Sequence, residues 1–153
     1  MLNEYIGFWM KKEFAYQYFH KSDILYRFIR AYQQEKYRKD LAMQYNYITN
    51  SFSTDKLITY IKKSSPKRVN ILSQGNQLEI YKNMQSMSLH IHEKHLNFRC
   101  ETLHDAEDLL FPSLRRFHPF LFIIENNSDN YGWISPISMN REYKQEQVLY
   151  SYL

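Results

Sequence analysis

The chain of 153 residues holds only three glycines, four prolines and one cysteine. Each scarcity excludes something. Phosphate-cradling loops need several glycines close together, so that backbone amides can approach the ligand. Gly7, Gly75 and Gly132 stand far apart, so neither GxGxxG nor GxxxxGK[ST] can be written and classical nucleotide binding is disfavoured. A lone Cys100 cannot form an internal disulfide, which fits a reducing cytoplasm. Long hydrophobic runs are missing too: the most apolar stretch, at 120–124, is far short of the ~20 residues of a membrane span. The first ten residues carry Glu4 and lack the basic start of a signal peptide. The expectation is a soluble, cytoplasmic protein without a membrane segment.

What is present is a core. Hydrophobic residues make up 44% and aromatic residues 17% of the chain, which fits neither disorder nor a coiled coil. The mean hydropathy of −0.63 comes from many Asn, Gln, Lys and Ser rather than from a lack of core formers. This length suits one domain that buries a core without staples. The aromatics crowd: Tyr5, Phe8, Trp9, Phe14, Tyr16, Tyr18 and Phe19 fall within fifteen residues. One strand and one helix offer a single core-facing side each, so some of these rings belong elsewhere.

Alternation over residues 4–10 predicts a first strand. Residues 11–20 predict a short helix with Ala15 and Phe19 stacked one turn apart and Phe14 and Tyr18 on a second stripe. Ser22 or Asp23 can cap a longer helix to about residue 39, with Ile24, Leu25, Phe28, Ile29 and Tyr32 as its apolar stripe. Residues 41–49 are ambiguous, but Met43, Tyr45 and Tyr47 alternate with Gln44 and Asn46, favouring a strand. Thr54 starts a helix that the run Ser64-Ser65-Pro66 ends. Short strands are expected at 69–73, 77–82, 88–93 and 96–100, with Gln74-Gly75-Asn76 as a hairpin turn. Thr102 and Asp105 resemble a capping pair for a helix that Pro112 kinks or restarts. Residues 120–125 read as the most apolar, central strand. A last strand at 131–134 stops at Pro136. The fold class is α+β: a single, mostly antiparallel sheet packed by about four helices, in one domain over 1–138. Residues 139–153, with Tyr143, Tyr150 and Tyr152, form a tail that either folds back on the sheet or stays free.

Candidate chemistry is thin. His90, His92 and His95 could gather round a metal with His104 or Cys100, but histidines on an exposed hairpin are common and no CxxC or HExxH supports a site; no metal is expected. Cys100 and His104 lie four apart, yet a nucleophile also needs an orienting partner. Glu101, Asp105, Glu107 and Asp108 cluster at a helix start, where they complement the dipole. No catalytic residue, cofactor or small-molecule substrate is assigned. Net charge is +4, with basic runs at Lys62-Lys63, Lys67-Arg68 and Arg115-Arg116. A small basic nucleic-acid-binding domain is therefore the alternative reading, although acidic residues interleave and no ribonucleoprotein signature occurs. Phe14 and Tyr18 cannot face the same core direction as Ala15 and Phe19; left exposed together, they make a two-ring knob of the kind that anchors protein interfaces.

Three motifs carry a resemblance: Lys11-x-Glu13-Phe14-Ala15-x-x-Tyr18-Phe19, then Tyr47-Ile48-Thr49, then Tyr131-Gly132-Trp133 followed by Pro136. In this order and spacing the chain resembles the SirA family, sporulation inhibitors of replication in endospore-forming bacteria. The resemblance implies a small protein that binds the N-terminal domain of the replication initiator DnaA and restrains origin firing as a cell enters sporulation, without binding nucleic acid directly. By motif position it implies Phe14, Tyr18, Gln44 and Tyr47 as the partner-binding residues, with rings filling apolar pockets and Gln44 bonding at the rim. Tyr16 and Gln17 fill variable positions of the first motif, and the tail after Pro136 is longer than the family pattern.

Overall fold

The computed structural model describes residues 2–136 and 149–150. Its frame is one seven-stranded sheet, every neighbouring pair antiparallel: β1 (Asn3–Trp9), β2 (Asn70–Gln74), β3 (Gln77–Lys82), β4 (Gln85–Ile91), β5 (Leu96–Cys100), β6 (Leu121–Glu125) and β7 (Tyr131–Trp133). The spatial order is β2-β3-β4-β5-β1-β6-β7. The helices are α1 (Lys12–Tyr18), α2 (Ser22–Gln34), α3 (Lys39–Ile48), α4 (Thr54–Ser64), α5 (Leu103–Leu109) and α6 (Phe111–Phe117), with a 3₁₀ turn at Phe19–Lys21.

Period-2 alternation decides the layering. Along β1, Tyr5 joins one core, while Phe8 and the following Met10 join the other. The first core is closed by Leu57 and Ile61 of α4, Ala106 and Leu109 of α5, and Phe111 and Leu114 of α6. The second is closed by Ala15 of α1, Leu25 and Ile29 of α2, and Tyr45 and Ile48 of α3. Strand β6 serves both, Leu121 and Ile123 on one side and Phe122 and Ile124 on the other. Its unbroken apolarity encodes burial on both faces rather than a middle position, since it lies one strand from the edge.

Three expectations need correction. Residues 41–49 form a helix, not a strand. Leu41, Tyr45 and Ile48 recur at helical spacing, and Tyr45 and Ile48 are the pair that becomes buried. Alternating tyrosines mimicked a strand because Tyr47 faces solvent. Helix α2 ends at Gln34, five residues early, and Ile24 on its expected apolar stripe is exposed. About four helices become six segments, because Leu110 and Pro112 split one expected helix into α5 and α6 and α3 is added. The expected turn forms, with Gly75 at φ +61° in the two-residue β2–β3 hairpin, whereas a second tight turn with Asn83 at φ +55° was not expected and starts β4 at Gln85 rather than at 88. Of the tail at 139–153, only Leu149 and Tyr150 lie within the described residues, and Tyr150 pairs with Trp133 through two backbone hydrogen bonds of 2.6 and 2.8 Å.

Candidate interaction surface

The corner between β1 and α1 is where the sequence motifs meet. Two backbone bonds tie it to the end of α3, making an antiparallel bridge between Met10 and Thr49: Lys11 N–H donates to the Ile48 carbonyl at 2.9 Å and Asn50 N–H to the Trp9 carbonyl at 2.7 Å. The Thr49 hydroxyl donates to the Tyr45 carbonyl at 2.7 Å, finishing the last turn of α3. On the inner side Tyr45 stacks on Tyr32 of α2, ring centroids 4.3 Å apart, and its hydroxyl donates to the Lys94 carbonyl at 3.0 Å. Burial and the Tyr32 hydroxyl raise the Tyr45 pKa, so this ring stays a neutral anchor. Helix α3 is therefore held on two sides, and its outer face is fixed in direction.

That outer face is apolar. Met43 is 72% and Tyr47 64% exposed, with Gln44 exposed between them. Tyr47 meets Phe14 of α1 edge-on at 5.4 Å, and the Lys11 ammonium sits 4.9 Å from the Tyr47 ring centroid. Tyr18 follows Phe14 one turn later on α1. The two-ring knob expected from α1 alone is thus a different object: Phe14 and Tyr18 are only partly exposed, because both pack against the second core. The freely projecting ring is Tyr47. Sequence reading did not single out Met43 or Lys11; a helical rather than strand phase for 41–49 puts Met43, Gln44 and Tyr47 on one face and would have found the first of them.

The other candidates disperse. Rings of His90, His92 and His95 lie in series, the first pair tilted at 4.1 Å and the second stacked at 4.4 Å between centroids. Among the described residues no group of three or more His, Cys, Asp or Glu is arranged to hold a metal. Cys100 is fully buried, its thiol pushed up to about 12 by burial and by Asp105, while His104 is exposed on α5. Asp105 accepts from the Thr102 N–H at 3.3 Å and from Gln85 at 3.0 Å; Glu107 pairs with Arg115 at 2.6 Å. These carboxylates have structural work. Of the basic runs, Arg115 turns inward to the Ile134 carbonyl at 2.5 Å. Lys62, Lys63 and Lys67 line an open groove on α4 and the loop after it, across the sheet from α1–α3.

The fold and this surface define an α+β protein that presents apolar and aromatic side chains on two clamped helices. The family model described as sporulation inhibitor of replication protein SirA matches residues 3–138, and the chain belongs to that family. No curated protein gives a significant match. No helix of the described residues is long and apolar enough to cross a membrane.

Proposed function

We propose that this protein restrains replication initiation in the cytoplasm of sporulating cells by binding the N-terminal domain of DnaA through α1 and α3. Residues 1–138 are the binding unit, and no catalytic step or cofactor takes part. The observation that carries this reading is the junction of Phe14 with Tyr47. Two motifs separated by about thirty residues of chain share one surface there, with Tyr18, Met43 and Gln44 beside it. Exposed aromatics and methionine beside a polar group fit the composition of interface centres. The mechanism is occlusion of a DnaA face needed for self-assembly or other partners.

Size-exclusion chromatography of the full chain mixed with the isolated DnaA N-terminal domain tests it directly. A joint peak is expected at micromolar concentrations, and separate elution overturns the proposal. Tyr47→Ala should weaken the complex by about 2 kcal/mol, roughly 30-fold. The nucleic-acid alternative relies on the opposite face: Lys62→Gln/Lys63→Gln would then abolish salt-sensitive DNA binding and Tyr47→Ala would not.

A further inference from the structure

Beside α3 lies a cleft of about 310 Å³, walled by Tyr32 of α2, Lys36 in the turn after it, Asn46 of α3, and His92, Glu93, Lys94 and His95 of the β4–β5 hairpin. That volume is at the lower end of ligand pockets, about 300–1,000 Å³. We propose that this cleft binds a small oxyanion, a sulfate- or phosphate-like group held by Lys36, Lys94, His92 and His95.

The charges around the cleft argue for an anion. The titratable groups around His92 and His95 are His90 from β4, Lys36 from the turn after α2, and Glu93 and Lys94 from the hairpin turn, with Glu93 and Lys11 acting on Lys94 in opposite senses. Tyr32 and Tyr45 add phenol hydroxyls, and the one carboxylate lining the cleft, Glu93, is exposed to solvent. Burial first, then these cationic neighbours, press His95 down to about 4 and lower His92 as well. Against Lys36 and Lys94, Glu93 is the single carboxylate lining the cleft, so the lining keeps an excess of positive charge. An oxyanion would reverse this balance, favour the imidazolium forms and take up protons as it binds. Donors are also spare. Lys94 Nζ has three N–H bonds and uses two, on the Thr49 carbonyl at 3.1 Å and the Asn46 carbonyl at 3.4 Å. No ion pair holds Lys36 among the described residues. The apolar residues Ile6 and Phe8 also line the cleft, and an apolar wall strengthens an ion contact.

Sulfate is the probe of choice because it stays a dianion from pH 5 to 8, so any pH dependence belongs to the protein. Nuclear magnetic resonance titration of the full chain should give saturable shifts confined to Lys36, Asn46 and 92–95, half-complete by ~10 mM. Affinity should rise ~5-fold from pH 7.5 to 6.0 through linkage to the imidazoles. Lys36→Gln, at an exposed position, should weaken binding several-fold without touching the fold, and His95→Gln should remove most of the pH dependence. Phenyl phosphate binding more tightly than sulfate would assign a phosphomonoester; equal binding would assign an inorganic ion. Diffuse, non-saturating shifts reproduced by chloride, or saturable binding unchanged in Lys36→Gln, overturn the proposal.

Discussion

Tyr47 and Phe14 touch each other but are held by different amounts of the molecule. Tyr47 stands on the outer face of α3 with 64% of its surface open, so its neighbours in the fold are the edge of Phe14 and the Lys11 ammonium. Phe14 is partly buried against Ala15, Phe19 and the rest of the second core. Truncation therefore separates docking from stability. Tyr47→Ala should leave the melting temperature nearly unchanged, since surface changes of this kind stay within ~0.5 kcal/mol. Phe14→Ala should cost about 1–2 kcal/mol and lower the melting temperature by several degrees. Differential scanning fluorimetry on both variants decides it. Equal loss in the two would mean that Tyr47 is part of the core rather than of a docking face.

At the scale of elements, the legible parts of the chain were those with one face buried and one face wet. Strands β1 and β3–β5 and helix α4 follow their periodicity, and the motif Tyr131-Gly132-Trp133 falls on β7. Helix α3 did not, because its inward Tyr45 and outward Tyr47 have the same chemistry, and only Lys94, Tyr32 and the β1 corner decide which ring is buried. Those partners come from distant parts of the chain, so local pattern could not supply them. The same limit applies at β7, where Trp133 donates from its indole to the buried Ser22 hydroxyl at 2.9 Å; Ser22, expected as a helix cap, instead locks α2 to the sheet. Gly132 beside it admits the segment at 149–150. A Cβ at this position would lie 2.7 Å from the Leu149 Cβ and 3.1 Å from the Tyr150 carbonyl oxygen. Gly132→Ala should push that segment off β7, costing about 1–3 kcal/mol. Hydrogen exchange checks it: the Trp133 and Tyr150 amides should lose protection together, and retained protection at both would show that the contact is not needed.

For the molecule as a whole, one titratable group is buried against the first core, under Trp9 at the end of β1. His118 is 4% exposed between Trp9 at 4.1 Å, Phe117 at 4.3 Å and Phe52 at 5.2 Å, ring to ring. Neither ring nitrogen finds a hydrogen-bond partner among the described residues. Burial without a partner disfavours the imidazolium and pushes its pKa down to about 4. The unfolded chain binds the proton more readily, with an ordinary histidine pKa of about 6.5. The contribution of neutral His118 is therefore complete above that value and is lost as the pH falls from there toward 4. A shift of this size corresponds to about 3 kcal/mol. His95, also held near 4 by burial and its cationic neighbours, adds a slope of the same sign. Urea midpoints measured from pH 7.5 to 4.5 should fall steeply below 6.5, and His118→Phe, which keeps the aromatic packing, should flatten the His118 share. Because Trp9 both contacts His118 and accepts the Asn50 N–H that pins the end of α3, acid should loosen the docking face before the far strands β2–β4. Amide exchange at Asn50 that rises no earlier than exchange in β3 would refute that order.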